Sequence, residues 1–410
     1  MRAIAIVGAG QAGLQLAHGL LAEGYDVTVV SDRTPEQIRS GRVMSTQIMF
    51  GPALGLERAA GLNSWDGKAP GITALQATVW DPPGTPALRF SGRFDEEAQS
   101  VDQRVKTADW LDLYEARGGR VEYGAADARR LAALAASHDL TLVAAGRGDL
   151  ARLFPRDPAR SPYDRPQRTL ACIYLHGVGH PPEYPAPQAR SHLTAEAGEI
   201  FVIPALTTGG LCDIVFFEGL PGGPFDCWQD RPDPSGCLTR TQSLLRRYAP
   251  VEYELCRNAE PTDARCTLYG AVTPTVRRPV TEVATGRWVL GMADTVVVND
   301  PVTGQGSNNA ARCAARYLRA IRERGAAPFD RAWMERTFET FWDHAQYATE
   351  FTNAMLQPPP DHVRRLLAAA AHCPAVAHRF VNGYADPADF RHWLTDPEAA
   401  ASYLAEIRGA

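Results

Sequence analysis

No CxxC pair occurs among the eight cysteines of this 410-residue sequence, which lie at 172, 212, 227, 237, 256, 266, 313 and 373. That absence argues against zinc-ribbon and thioredoxin-type chemistry, and so low a cysteine content is ordinary for a reducing compartment. No uninterrupted run of ~18 apolar residues appears, so no membrane-spanning helix is expected. There is no basic block either. Lys plus Arg is 42 against 47 for Asp plus Glu, a net charge of −5, which is a poor composition for a nucleic-acid binder. The ten histidines show no metal-ligand spacing, so His18, His176, His180 and His192 read as surface or core residues. Internal repeats and low-complexity tracts are absent, which removes solenoids and fibres.

The hydrophobic share of 45% and charged share of 22% are those of a globular chain. The length exceeds one domain of ~100–200 residues and fits two or three packed modules. The N-terminal stretch MRAIAIVGAGQAGLQLAHGLLAEG superficially resembles a signal peptide. Gly8, Gly10 and Gly13 interrupt it, and it divides into a β-branched part and a helical part. A cytoplasmic protein is expected.

Residues 2–7 read as a buried strand, 11–23 as a helix ended by Gly24, and 26–31 as a second strand. Strand, helix and strand in about thirty residues open a parallel sheet. Residues 73–90 alternate around DPPGTP and predict a hairpin. A helix is predicted over 107–118 and another buried strand over 140–146. Four prolines between 147 and 168 mark a crossing. From 168 to 290 the pattern is mostly strands, with a helix at 235–249 and a loop at 181–187. Residues 308–325 predict a strong helix, and 328–410 a helical, aromatic-rich region.

The first chemical signal is Gly8-Ala9-Gly10-Gln11-Ala12-Gly13 between the first strand and the first helix. The first glycine makes the tight turn, the second lets a pyrophosphate approach the backbone, and the third lets helix and strand pack closely. The helix start then offers amide donors to the phosphates. At the end of the second strand the position usually held by an acid is Ser31, with Asp32 next. Asp32 either accepts from the adenosine ribose hydroxyls or serves the turn. Arg33 lies near the adenine or phosphates, or is simply exposed; the sequence leaves both pairs open.

The second signal is an apolar strand running into Asp294, then Asp300-Pro301-Val302-Thr303-Gly304-Gln305-Gly306-Ser307-Asn308 at the start of a long helix. It resembles the second FAD fingerprint of the aromatic-hydroxylase-like flavoproteins. That resemblance implies that Asp294 binds the ribityl chain and that Asn308 and the amides of Gly304 to Ser307 hold the flavin ring. A helix N-terminus suits the negative charge of a reduced flavin. The two fingerprints lie about 280 residues apart. Single-component aromatic hydroxylases carry an Asp-Gly pair after the strand at 140–146. Here Gly146-Arg147-Gly148-Asp149-Leu150 stands instead, which suggests that the protein does not reduce its own flavin.

The chain as a whole resembles the flavoprotein epoxidase component of the two-component styrene and indole monooxygenases. The stretches VTVVSDRTPE, SGR (40–42), SVDQR (100–104), RPQRTLACIYLHGV (165–178) and VNDPVTGQGSNNAA (298–311) carry the resemblance. It implies an α/β fold: a Rossmann-like FAD domain of the aromatic-hydroxylase type, a β-sheet substrate domain and a helical C-terminal region. The expected boundaries are 1–165 for the first FAD part, with a hairpin insertion near 73–100, then 166–285 for the substrate sheet, 286–327 for the second FAD part and 328–410 for the helices. Reduced FAD arrives from a separate NADH-dependent flavin reductase and forms with O2 a C4a-peroxyflavin that epoxidises a small aromatic substrate or sulfoxidises a thioether. A homodimer is common in this class; no nucleic-acid or membrane partner is implied.

After Arg42 the residues Ser45, Gln47 and Met49 resemble the indole branch, where styrene-type members have Asn, Val and His. Ile72, Leu75 and Ala98 likewise stand where the styrene type is more polar. Indole is therefore the expected substrate. Epoxidation of this kind needs no acid–base pair, because the reactive oxygen belongs to the cofactor. Arg42, Ser45, Gln47 and Met49 are expected near the flavin or substrate, with Pro301 at the pocket floor and Ile72, Leu75 and Ala98 around the substrate. Competing readings are a styrene-type epoxidase, a single-component NAD(P)H-dependent hydroxylase, and a non-catalytic binding protein on the same fold.

Overall fold

The computed structural model describes residues 2–146, 148–181 and 186–409. Arg147 of the GRGDL stretch and residues 182–185 of the expected 181–187 loop lie outside them.

Two sheets organise the chain. The first has six strands in the order Val280–Ala284, Arg287–Gly291, Leu140–Val143, Ala3–Val7, Asp26–Ser31, Arg120–Tyr123. Its centre is parallel: Ala3–Val7 pairs with Asp26–Ser31 on one side and with Leu140–Val143 on the other. Such strands are covered on both faces, which is why Ile4, Ile6, Val27, Val29 and Leu142 are all at most 2% exposed. The helices Gln11–Ala22, Gln103–Ala116 and Gln305–Arg324 provide cover, packing against one another at the ends of the strands.

The second sheet runs Glu260–Pro261, Thr169–His176, Gly210–Gly219, Gly198–Thr207, Gln188–Thr194, Gly71–Trp80, Pro86–Gln99, with Thr267–Ala271 also on Thr169–His176. Two placements differ from the sequence expectation. The hairpin near 73–100 is not an outgrowth of the first unit: Gly71–Trp80 pairs in parallel with Gln188–Thr194, so the hairpin completes the second sheet. Conversely, Val280–Ala284 leaves the expected 166–285 unit and pairs with Arg287–Gly291 at the edge of the first sheet. Strand pairing of this kind joins distant residues, and local patterning does not encode it. The stretch Gln188–Thr194, just after the expected 181–187 loop, is a central strand.

The C-terminal helices lie on one face of the second sheet. Gly92 makes the contact close: a Cβ there would stand 2.3 Å from the carbonyl oxygen of Ala377 in the helix Pro374–Asn382. Asn382 ties the same helix to the strand, accepting from the amide of Asp95 at 2.8 Å and donating to the carbonyl of Arg93 at 3.0 Å. Phe351, Phe380, Tyr384 and Phe390 fill the space with edge and tilted ring contacts. Among the described residues no helix is long and apolar enough to cross a membrane, and no His, Cys, Asp or Glu cluster could hold a metal. All eight cysteines are free of disulfides.

Candidate active site

The site begins where Ala3–Val7 ends. Gly8 has φ +121°, and a Cβ on it would fall 2.6 Å from the carbonyl oxygen of Ala144. Gly13 sits in the first helical turn, where a Cβ would lie 2.1 Å from the Gly8 carbonyl oxygen. Both positions exclude a side chain. Gly10 is different. Its backbone is extended and nothing lies within 4 Å of its virtual Cβ, so it borders open space. The helix Gln11–Ala22 has no side-chain N-cap, which leaves its first amides directed at that space. Ala12 is buried beneath. Two crowded glycines, one open glycine and an uncapped helix start fit a dinucleotide pyrophosphate.

At the end of the second strand Ser31 is spent on its own turn: its Oγ donates to the carbonyl of Arg33 at 2.6 Å. Asp32 is exposed and pairs with Arg33 at 3.6 Å, while the Arg33 guanidinium also approaches the Met44 sulfur. Gly146 abuts Asp294, whose Cβ would be 2.6 Å from a Cβ on that glycine. The carboxylate of Asp294 is thus carried, exposed, at the sheet end.

The second fingerprint folds as a short 3-10 turn, Pro301–Thr303, closed by Gly304 at φ +64°, from which the helix Gln305–Arg324 starts without a side-chain cap. Gly306 borders open space, again leaving room for a ligand at a helix N-terminus. Gln305 points inward and donates to the carbonyls of Thr303 and Tyr384. The side chain of Asn308 spends its hydrogen bonds inside the protein. Its Oδ1 accepts from the amide of Phe50 at 2.9 Å, and its Nδ2 donates to the carbonyls of Ile48 and Gly304 at 2.9 and 2.8 Å. Asn308 therefore fastens the 48–50 segment to the helix start.

The two fingerprints also meet directly. Gln11 Nε2 donates to the carbonyl of Ser307 at 3.1 Å, to Glu57 at 2.9 Å, and approaches the Met49 sulfur at 3.2 Å. Glu57 in turn receives both carboxylate contacts from Lys106 at 2.8 Å, with both side chains at most 1% exposed. No sequence signal pointed to Glu57 or Lys106.

Beside the Pro301–Gly304 turn lies a cavity of about 40 Å³ lined by Thr46, Ile48, Phe50, Leu75, Phe94, Phe201, Phe216 and Tyr384. Of the expected substrate residues, Leu75 and Pro301 reach it. Ile72 and Ala98 are register partners of one another, each 0% exposed in the core beyond it. The 45–49 segment alternates. Thr46, Ile48 and Phe50 line the cavity, whereas Ser45, Gln47 and Met49 make their contacts elsewhere. Ser45 Oγ donates to Gln47 Oε1 at 2.5 Å, and Gln47 Nε2 donates to Tyr174 Oη at 3.2 Å. Tyr174 Oη donates to the carbonyl of Ser45 at 2.7 Å, and burial pushes its phenol well above the usual range, so it stays neutral. Met49 packs with Ala53, Leu54 and Ala311. Arg42 is exposed and makes no ion pair with a described residue.

The cavity wall from the sheet follows period two. Phe201 and Phe216 are register partners, as are Ile203 and Ile214. Arg190 also borders the cavity, while its guanidinium is paired with Glu252 at 2.7 Å. Sequence patterning held this information, since the same alternation marks Phe201, Phe216 and Phe94. It did not tell which face met the turn.

Two family models match the chain: "Styrene monooxygenase A putative substrate binding domain" over residues 146–255 and "NADP oxidoreductase coenzyme F420-dependent" over residues 3–46. The second covers only the strand–turn–helix–strand unit that dinucleotide folds share, so it identifies no particular cofactor. Among curated proteins, the styrene monooxygenase StyA of Pseudomonas fluorescens is 28% identical over 359 residues, spanning 86% of this chain and 85% of that one. The StyA of a Pseudomonas sp. is 26% identical over 416 residues, spanning 98% of each. Among solved structures, the flavin-dependent brominase Bmp2 superposes with a TM-score of 0.65 at 14% identity over 99% of both chains. The flavin-dependent halogenase CmlS does so at 0.65 over 96% of this chain and 70% of its own. The chain thus has the mixed α/β fold of flavin-dependent halogenases and oxygenases, and in sequence it is similar to the styrene monooxygenases along nearly its whole length.

Proposed function

We propose that the chain is a flavin-dependent monooxygenase of the two-component kind, which receives reduced FAD from a separate NADH-dependent reductase and uses O2 to epoxidise indole. The observation that carries the reading is the apolar cavity pressed between the 46–50 segment and the Pro301–Gly304 turn, beside the start of the helix Gln305–Arg324. A bound reduced flavin supplies the reactive oxygen from O2. The chain's own part is positional. The amides at the starts of Gln11–Ala22 and Gln305–Arg324 hold the anionic parts of the cofactor. Asp294, at the sheet end, would take the ribityl chain, and Asp32 the adenosine ribose. Phe50, Phe94, Phe201 and Phe216 exclude water from the reacting double bond.

A volume of about 40 Å³ is room for about three waters, so a bicyclic ring enters only when lining aromatics rotate. Tyr384 is the lining residue with an acidic proton, and burial raises its phenol beyond reach of neutral pH. The cavity therefore presents no acid–base pair, in keeping with a reaction that needs none. Ser45, Gln47 and Met49 support the indole reading by resemblance, whereas the relatives, which match over 86% and 98% of the chain, support styrene as the second substrate. The stretch after Val143 supports external reduction. Asp149, where an Asp-Gly pair would otherwise signal nicotinamide use, is exposed and paired with Arg152.

Aerobic turnover with FAD and NADH, with and without an unrelated flavin reductase, tests the reading. Indigo formation only with the reductase is the expected result. Pigment without it would favour a single-component hydroxylase, and styrene oxide without pigment would move the chain to the styrene type.

A further inference from the structure

Behind the Pro301–Gly304 turn lies a set of ionisable side chains that the proposed reaction does not use. Arg168 holds Glu199 in a two-pronged pair at 2.7 and 2.8 Å, and both residues are nearly fully buried. Glu218 is the register partner of Glu199 on the adjacent strand, and Asp300 immediately precedes Pro301. Both are 0% exposed. Glu199 and Glu218 stand two residues from Phe201 and Phe216, on the face of the sheet that lines the cavity.

One guanidinium therefore faces three buried carboxyl groups. Neither oxygen of Glu218 meets a donor, and neither does Oδ2 of Asp300. Yet the carboxyls of Glu218 and Asp300 are in hydrogen-bonding contact with each other. Two carboxylates cannot bond; a carboxylic acid and a carboxylate can. Asp300 takes the acceptor role: burial raises its carboxyl, but the contact with Glu218 and the amide of Val302, which donates to its Oδ1 at 3.2 Å, both favour its charged form, while the same contact raises Glu218.

We propose that Glu218 is a positioning residue for the cavity: held as the neutral acid, it donates to Asp300 and so fixes the Pro301–Gly304 turn that forms one wall. Burial first, then the charges of Asp300 and Glu199, raise the Glu218 carboxyl well above its ordinary range against the opposing pull of Arg168. The assignment of that wall to a substrate rests on the function proposed above; the bound proton does not.

The test has two arms. In the first, denaturant unfolding of wild type and Glu218→Gln is compared at pH 6, 7 and 8. Between the ordinary glutamate range and the raised folded value, the folded chain holds a proton that the unfolded chain has lost. Stability from this group is therefore full at low pH and falls as pH rises. Relative to Glu218→Gln, the wild-type folding constant should fall about tenfold per pH unit. Asp300→Asn, which reverses the donor, should remove the same slope and serves if the first variant folds poorly. Parallel stability curves would overturn the shared proton. In the second arm, Glu218→Leu should raise KM for the aromatic substrate about tenfold with little change in kcat, and Glu218→Gln should restore it. Equal KM for Leu and Gln variants would overturn the positioning role. The first arm needs no activity, so its failure is separable from failure of the proposed function.

Discussion

Single residues at this site divide by what a side chain would strike. Gly10 separates ligand space from protein space, because its virtual Cβ meets nothing in the chain. Gly10→Ala should cost at most about 1 kcal/mol of stability as an altered helix start, while oxidised-FAD affinity drops at least about tenfold, or ~1.4 kcal/mol. Calorimetric titration beside thermal melting checks this; unchanged FAD affinity would mean that the pyrophosphate does not lie there. Asn308 is the opposite case, with all its polar capacity turned into the protein. Asn308→Ala leaves a buried amide and two carbonyls without their partner and should destabilise the fold by about 3 kcal/mol. Denaturant unfolding reads it, and a loss under ~1 kcal/mol would show that the 48–50 segment holds without it. Asn308 was picked out by its place in the second fingerprint. The fingerprint names the residue but not the direction of its side chain, which depends on a segment about 260 positions earlier.

At the scale of elements, the extended stretch through Ser45 and Met49 illustrates how a period of two partitions function. One set, Thr46, Ile48 and Phe50, faces the cavity, and the other faces Tyr174 and Gln11. Sequence comparison marks positions, whereas the choice between the two sets needs the neighbouring sheet. Glu57 and Lys106 join the helices Gly51–Ala59 and Gln103–Ala116 beneath the first fingerprint through Gln11. Lys106 is one of only two lysines in the sequence, and its ammonium also lies 5.5 Å from the Trp110 ring centre. Lys106→Met strands a buried carboxylate and should cost about 3–5 kcal/mol. The double change Glu57→Leu with Lys106→Met should recover most of it, as measured by equilibrium unfolding. Additive losses in the double variant would contradict a direct pair. Nothing in the sequence marked this pair, because the burial of both charges came only with packing.

In the whole molecule the second sheet is the wall between two environments. Its cavity face is covered by the C-terminal helices, and its other face by the helices Pro234–Tyr248 and Pro250–Cys256. On that other face Glu252 accepts from Arg190 at 2.7 Å and lies 3.2 Å from His192 Nε2, while the Trp80 indole donates to His192 Nδ1, which leaves the ring proton on Nε2. Burial alone would raise the Glu252 carboxyl, but Arg190 and His192 outweigh it and hold it down at about 2, against an ordinary 4.5. A lowered folded value means stability that is present above pH ~4.5 and is lost as pH falls toward ~2, worth about 3 kcal/mol in all. Acid unfolding between pH 5 and 3 should therefore be shallower in Glu252→Gln than in wild type. Equal slopes would show that this carboxylate is not the linked group. The effect belongs to the whole molecule because the four residues, Trp80 included, come from two strands and a helix.

The sequence by itself determined the parallel β-α-β opening, the glycines at 8, 10 and 13, the strand Asp26–Ser31 and the long helix after the Gly-rich turn, read from 308 and beginning at Gln305. Each depends on local geometry: a backbone turn without a Cβ, a buried run of β-branched residues, or a helix start after a left-handed residue. Only the tertiary structure decided that the 71–99 hairpin belongs to the second sheet, that Thr46 and Ile48 line the cavity, and that Asn308 turns inward. Only it brought Glu218 against Asp300. Strand pairing, the choice of face and the burial of charge are set by residues distant in the chain, and their energies exist only once those residues meet.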